Sequence, residues 1–497
     1  MKLFILALVI TNLGVMTAWA HSDDKVSQQK NSEHVQPNVI IIYADDLGIM
    51  DTGIYGARQY ETPNINGLAS SGVSFTQAYA NAANCAPSRA SLMTGLTPAE
   101  HGILTVGSSA RGESKYRKLI PVPNITELDS SLTTVADLFK QQGYSTAVIG
   151  KWHLGKVSPV EYGFDYANAA SHLGHPPSYF YPYSKRRRKL IGLKGEGRSN
   201  EFLSDRITRE ATQYIAQQQK PFLLYLPFYA VHTPIEAPEA WQKSHKKREQ
   251  SGEIKSAAYA AMVSNLDNNV GKIIHQLEEQ GLRDNTLVIF ASDNGGYDPA
   301  TSSLPFRGYK SSLFEGGIRV PLVLSWPTVL PTDSQNATPV QMSDLFAGFT
   351  QLLSSTSMLT KRDVVEPSVA DDIISLAREG KEIRDRSLFW HAPVYIDQFA
   401  PYRGNPDYPY WKHTPGAAIR MGDYKLIHSD ETGKQLLFNV VNDSSEQNNL
   451  TKHQPELAAK MLEALLTWQD SVNAPRATEA NPEYQAKDAI KLKSIYE

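Results

Sequence analysis

The sequence predicts an α/β fold: a large, mostly parallel sheet sandwiched by helices, followed by a smaller C-terminal domain of antiparallel sheet plus helix. Three observations carry this reading. Short, continuous apolar runs rich in β-branched residues recur through the first two thirds of the chain, as in strands buried on both faces. Amphipathic stretches with three- and four-residue spacing separate them, and such alternation favours parallel strands joined by helical crossovers. After about Arg386 the pattern changes to closely spaced strand, turn and strand.

The elements follow in order. Lys2, a mainly apolar stretch from Leu3 to Met16, and Ala18-Trp19-Ala20 form the pattern of a signal peptide. The apolar stretch is short for a bilayer span and is interrupted by Asn12 and Gly14. Residues 1–20 are therefore expected to be cleaved and the protein exported, periplasmic or secreted. No later segment is long and apolar enough for stable membrane insertion. Residues 21–36 are polar and read as a flexible lead-in. A large domain is expected over 37–385. In it Asn38 to Tyr43, Thr146 to Ile149, Phe222 to Phe228, Thr286 to Ala291 and Leu322 to Leu324 read as strands. Thr133 to Gln142, stopped by Gly143, reads as a helix. So does Glu201 to Gln219, with Phe202, Ile207, Ala211 and Ile215 on one face. A third helix carries Met262, Leu266, Val270, Ile273 and Leu277 and stops at Gly281. In the expected smaller domain, 386–497, Ala417 to Met421 and Tyr424 to Ile427 flank a Gly422-Asp423 turn. Leu436 to Phe438 is a third strand, and Glu456 to Val472 a closing helix.

The formal net charge is −3, so no overall basic field points to nucleic acid. There is one cysteine. In an exported protein it forms no internal bridge, so Cys85 is either an inert buried thiol or a reactive centre.

Four predicted strands run into polar residues: Asp45-Asp46, then Gly150-Lys151-Trp152-His153, then His232-Thr233-Pro234, then Asp293-Asn294-Gly295-Gly296. Open α/β sheets bind ligands outside the carboxyl ends of their strands, so these residues are expected to converge. Taken singly, each has a plain structural reading. Asp45-Asp46 suits a cap, Asp293-Asn294-Gly295 a turn, and His232 a structural histidine. Taken together, Asp45, Asp46, Asp293 and Asn294 offer only oxygen ligands with three negative charges, which suits calcium or magnesium over zinc. Lys151, His153, His232, Lys310 and Arg89 add positive charge or donors. A cation ringed by carboxylates with basic groups around it suits a small anion such as sulfate or phosphate.

Cys85-Ala86-Pro87-Ser88-Arg89, followed by Thr94-Gly95, resembles the signature of the formylglycine-dependent (type I) sulfatases of the alkaline-phosphatase superfamily. Gly150 to Gly155 and Phe306-Arg307-Gly308-Tyr309-Lys310 also look like motifs of that family, and the likeness runs from Pro37 to the Asn439–Leu450 stretch. The resemblance implies an alkaline-phosphatase-like fold with 37–385 as the catalytic domain. It implies that a formylglycine-generating or equivalent maturation enzyme oxidises Cys85 to formylglycine, whose hydrate attacks sulfur. Asp45, Asp46, Asp293 and Asn294 would then hold one calcium ion, which also meets residue 85. Arg89 and Lys151 would steady the diol and the sulfate, Lys310 would contact the sulfate, His232 would protonate the departing alcohol and His153 would accept the proton of the second hydroxyl. A diol suits this chemistry because its second hydroxyl gives the sulfated intermediate an exit without water attack at sulfur.

Resemblance and export together point to a sulfated polysaccharide or its oligosaccharides, such as ulvan or carrageenan, as substrate and sulfated carbohydrate as partner. The basic run Lys185 to Lys189, among Tyr179, Tyr181 and Tyr183, reads either as a grip for a second sulfate or carboxylate or as a solvated loop. His245-Lys246-Lys247-Arg248 reads as a helix surface. Tyr402-Arg403 and Tyr408-Pro409-Tyr410-Trp411 read as a further wall of the cleft. Two other functions compete: a phosphate or phosphonate monoester hydrolase of the same superfamily, and a non-catalytic binder of sulfated glycans in which Cys85 stays a thiol.

Overall fold

The computed structural model describes residues 36–354, 372–402, 408–489 and 492–496. The expected signal peptide, the lead-in up to Val35, and Arg403 lie outside the described residues.

Eight strands form the main sheet: β1 (Asn38–Ala44), β2 (Val73–Phe75), β3 (Ser145–Ile149), β4 (Tyr166–Asn168), β5 (Phe222–Pro227), β6 (Thr286–Ser292), β7 (Leu322–Ser325) and β8 (Ser334–Asn336). Their order is β8-β2-β7-β6-β1-β5-β3-β4. β1 lies at the centre, parallel to β5 and β6, with Ile40 opposite Leu224 and Val288. β3 extends the parallel set between β5 and β4. β7 runs antiparallel to both of its neighbours, so the sheet is mostly parallel, as expected, with one reversed strand.

Every residue of β1 is buried. Val39, Ile41 and Tyr43 enter one core, and Ile40 and Ile42 enter the other, which is the two-residue period of a strand covered on both sides. The first core is closed by α1 (Cys85–Thr94), α2 (Val135–Gln141) and α5 (Asp344–Ser354), through Leu92, Leu138 and Phe349. The second is closed by α3 (Leu203–Gln217) and α4 (Ala257–Glu279), through Ile207 and Val270.

The C-terminal part forms the expected smaller antiparallel sheet, with β9 (Ser387–Ala392), β10 (Gly416–Met421), β11 (Tyr424–Ser429) and β12 (Gln435–Asn439) in sequential order. β9 was not anticipated. The Gly422-Asp423 hairpin forms, with Gly422 at φ 55°, a conformation that glycine adopts without Cβ strain. α6 (Pro455–Ser471) covers one face, with Trp468 stacked on Phe389 at 4.6 Å. The other face carries Trp390 and Ile427 against Tyr79 and Phe314 of the main body. Among the described residues, no helix is long and apolar enough to cross a membrane.

Candidate active site

The site grows out of strand register. Ala44 at the end of β1 pairs with Ser292 at the end of β6, so the next residues, Asp45-Asp46 and Asp293-Asn294, emerge side by side. Asp46 N–H donates to Asp293 Oδ1 at 3.1 Å. Asp46 adopts φ 59°, a left-handed conformation that Asp tolerates better than most residues. After β3, Gly150 turns the chain at φ 128°, and a Cβ there would lie 1.9 Å from the Pro227 carbonyl oxygen. Lys151 N–H donates to that same oxygen at 2.7 Å. The carboxyl ends of β1, β3 and β6 thus meet at one edge of the sheet.

Cys85 opens α1, which is buried along its whole length. Pro87 falls in the first turn, where a missing N–H costs nothing. Ser88 Oγ donates to the Ala82 carbonyl at 2.8 Å and so fixes the approach to the helix. Gly95, at φ 74°, closes the helix with its N–H on the Ser91 carbonyl. The signature string is therefore largely a device for presenting residue 85 and, one turn later, Arg89.

All of the expected site residues except His153 are tied into one network. Lys310 Nζ lies 2.7 Å from Asp46 Oδ1 and 3.2 Å from Cys85 Sγ, and Cys85 Sγ lies 3.7 Å from Asp46 Oδ1. Lys151 Nζ pairs with Asp45 Oδ2 at 2.6 Å. Arg89 donates Nε and Nη2 to Asp293 Oδ2 at 2.9 and 2.8 Å and Nη1 to the Lys151 carbonyl at 3.1 Å. Asn294 Nδ2 donates to Asp46 Oδ1 at 2.8 Å. His232 Nε2 lies 3.6 Å from Asp46 Oδ2 on the more open side, and its Nδ1 lies 3.0 Å from the Thr233 carbonyl. His153 is half-buried, close enough to Lys151 and Arg89 to feel their charge, and its Nδ1 is buried without a partner among the described residues.

Burial and charge set the protonation pattern. Burial pushes the Asp46 carboxyl up, but Lys310, His232 and Lys151 outweigh it and hold Asp46 well below the usual carboxylate range. Burial likewise opposes ionisation of Asp293, and the Arg89 guanidinium overcomes it. Asp45 goes the other way: burial dominates and raises it despite Lys151. Burial, then the charges of Lys151 and Arg89, hold His153 well below the usual imidazole value. Burial and Lys310 also lower His232, with Asp46 opposing them.

Sequence reasoning missed two residues around this cluster, His175 and Lys412, and misjudged the role of a third, Tyr179. His175 stacks on His232, with ring centres 5.9 Å apart and an interplanar angle of 12°. Tyr179, singled out in the sequence beside the basic run, is buried, and its O–H lies 2.5 Å from the Tyr229 carbonyl and 2.9 Å from the His232 carbonyl, anchoring that loop. Lys412 is buried with its amine over the Phe399 ring, and burial holds its pKa well below the lysine range. Each sits in a loop or short strand that only the tertiary fold brings here. Two expectations change in detail. Trp411 is buried against Tyr395 at 4.9 Å, a packing role; Tyr402 and Tyr408 stack on each other at 4.0 Å. In the helix Glu239–Gln250, Lys246 and Lys247 are exposed as expected, but His245 is buried.

The Sulfatase family model matches residues 37–355. The chain belongs to the sulfatase family. A sulfatase of Formosa agariphila is 32% identical over 94% of this chain and 95% of its own. The N-acetylgalactosamine-6-sulfatase of Canis lupus familiaris is 31% identical over 71% of this chain and 68% of its own. Among solved structures, Ps i-CgsB in complex with k-i-k-neocarrahexaose is similar with a TM-score of 0.71 and 27% identity, covering 92% of this chain and 96% of that one. A phosphonate monoester hydrolase of Agrobacterium radiobacter is similar in fold, with a TM-score of 0.63 and 19% identity. The chain is thus an enzyme, a sulfuric ester hydrolase.

The cofactors of such a sulfatase fit the residues present. One ligand atom from each of Asp45, Asp46, Cys85 and Asp293 lies within 4.8 Å of all the others. Asp45 Oδ1 and Asn294 Oδ1 are buried there without a hydrogen-bond donor among the described residues. Orphaned buried oxygens among clustered carboxylates are what a hard cation such as calcium satisfies. The free thiol of Cys85 stands where formylglycine belongs.

Proposed function

We propose that this chain is an exported sulfatase that removes sulfate from a sulfated polysaccharide or its oligosaccharides, with residue 85, as formylglycine hydrate, attacking sulfur. The observation that carries the reading is residue 85 lying 3.2 Å from Lys310 Nζ and 3.7 Å from Asp46 Oδ1, inside the carboxylate cluster. Residues 37–385 act as the catalytic domain and 386–497 as the smaller one. A separate maturation enzyme makes the aldehyde, and residues 1–20 direct export.

Asp45, Asp46, Asp293 and Asn294 would hold calcium, which when bound supplies Lewis acidity and charge neutralisation at the sulfate. The chain's own residues do the rest. Lys310 and Lys151 present ammonium groups to the incoming sulfate monoester and offset the charge that grows on its oxygens in the transition state. Arg89, fully buried and donating to Asp293 and the Lys151 carbonyl, positions those two groups. His232 Nε2, on the open side, gives its proton to the departing sugar oxygen. Its lowered pKa makes it a willing donor once protonated. His153, held neutral by burial and by Lys151, accepts the proton of the second hydroxyl of residue 85 as sulfate departs and the aldehyde returns.

A carrageenan-type galactan is the favoured glycan, because the similar protein Ps i-CgsB was solved with a neocarrahexaose. The reading is tested by measuring sulfate released from a panel of sulfated oligosaccharides, with mass spectrometry of the peptide carrying residue 85. Formylglycine at that position and turnover of a sulfated galactan are expected. Cys85→Ala should abolish turnover while the thermal midpoint stays within a few degrees. Retained turnover in that variant defeats the mechanism, and a preference for a phosphate over a sulfate ester of the same phenol defeats the substrate class.

A further inference from the structure

Beside His232 lies a cavity of about 280 Å³ that the reaction chemistry above does not use, lined by His175, Lys185, Arg186, Arg188, Thr233 and Pro234 among others. Thr233 follows His232 in the chain, and His175 stacks on it. The cavity therefore opens from the side on which the departing alcohol is protonated. Its basic wall is a two-stranded hairpin, Ser184–Lys185 paired with Arg188–Lys189.

The hairpin is built unusually. Its two-residue turn, Arg186-Arg187, has φ 48° and 66°. Such turns strongly favour Asn-Gly or Asp-Gly, because both central residues are left-handed. Two arginines here run against local preference, and such conflicts concentrate where side chains serve a function. The base is rigid: Tyr183 and Leu190 are buried, and Leu190 N–H donates to the Tyr183 carbonyl at 3.0 Å. Glu236 ties the hairpin to the His232 loop, accepting from Lys185 Nζ at 3.1 Å, Ser178 Oγ at 2.9 Å and Tyr179 N–H at 3.0 Å. Lys185 is thereby neutralised. Among the described residues, Arg186 and Arg188 form no ion pair, and both are exposed at the cavity.

We propose that this cavity is a second anion site, which takes a sulfate ester or carboxylate on the leaving-group side of the glycan through Arg186 and Arg188. The site selects substrates with at least two anionic groups. The inference rests on the sulfatase reading only in taking the His232 side as the leaving-group side.

The test uses the matured full chain and competition against 4-nitrophenyl sulfate turnover. Competitors are oligosaccharides of iota-carrageenan, which carry several sulfates, their desulfated forms, and oligogalacturonides, which carry carboxylates only. In the wild type a charged series should compete and the desulfated one should not. In Arg186→Ala/Arg188→Ala the inhibition constant of that series, divided by the KM for 4-nitrophenyl sulfate, should rise by roughly 10–100-fold, since charge-assisted contacts to anions are among the stronger hydrogen bonds. Lys246→Ala/Lys247→Ala removes the same formal charge from an exposed helix face and should leave the ratio within about twofold, because distant exposed charges are screened. Whether sulfated or carboxylated competitors lose more identifies the anion. The proposal is overturned if no charged series competes in the wild type, or if both double variants shift the ratio equally. If the wild type hydrolyses no sulfate ester, the sulfatase reading fails instead, and calorimetric titration of the same oligosaccharides still reads the cavity.

Discussion

At the scale of residues, two histidines with similar chemistry are separated by their surroundings. Both are half-buried, but desolvation and the charges of Lys151 and Arg89 all act to keep His153 neutral. His232 keeps its Nε2 near Asp46 and retains some exposure, with 15% of its side chain accessible. A proton donor to the leaving group matters in proportion to how poor that group is. A sugar alkoxide needs the proton, whereas 4-nitrophenolate leaves without it. His232→Asn is therefore expected to lower kcat/KM on a sugar sulfate by roughly 10²–10⁴-fold and on 4-nitrophenyl sulfate far less. Parallel kinetics on the two esters check this, and equal losses would remove the donor role from His232. The strand-end residues of this site were legible because each polar pair follows an uninterrupted buried run, an abrupt change that ordinary turns seldom show four times in order. His175 and Lys412 were not legible. Neither follows such a run, and what gives each its character is a neighbour distant in sequence: His232 for His175, and Tyr309 together with nearby Phe399 for Lys412.

At the scale of elements, the turn after β3 shows how backbone geometry serves the site. Gly150 sits at φ 128° with the Pro227 carbonyl where a side chain would begin, and the adjacent Lys151 N–H holds that same carbonyl. Gly150→Ala is expected to destabilise the fold by about 2–4 kcal/mol and to displace Lys151 from Asp45. Urea unfolding measures the first effect, and loss of turnover larger than the fraction unfolded measures the second. A variant as stable and active as the wild type would show that the turn tolerates a Cβ. β1, β3, β5 and β6 could be read from sequence because two-sided burial demands continuous apolar residues. β2, β4 and β8 have three residues each, too few for any period to register. β9 is buried on both sides too, with Leu388 and Trp390 in one core and Phe389 under Trp468 in the other, but its apolar run is only these three residues, flanked by Ser387 and His391. α1 escaped because it is buried all round and so has no amphipathic stripe.

At the scale of the whole molecule, the small sheet is fastened to the body by a charge cluster with no exposure. Lys425 on β11 lies 2.7 Å from Glu315 and 2.8 Å from Glu446, and all three side chains are fully buried. Two carboxylates share one ammonium. Burial opposes ionisation of Glu315, but Lys425, Arg319 and Arg420 together hold it below its usual range. Glu446 has less help: burial, with Glu315 adding to it, outweighs Lys425 and raises Glu446 to about 7. The folded chain therefore keeps a proton on Glu446 that an unfolded chain, with an ordinary glutamate near 4.5, has already lost. Between those two values the native state binds more protons, so stability falls as pH rises, by about 3 kcal/mol across the interval. Below the lower value the contribution is fully present, and above the upper one it is gone. Glu446→Gln mimics the protonated form at every pH and can still accept the Glu315 N–H that Glu446 Oε2 now takes at 2.7 Å. Its thermal midpoint is thus expected to match the wild type near pH 5 and exceed it at pH 8. If the two proteins instead show the same dependence on pH, the shared proton is not on Glu446, and the cluster is held as three full charges.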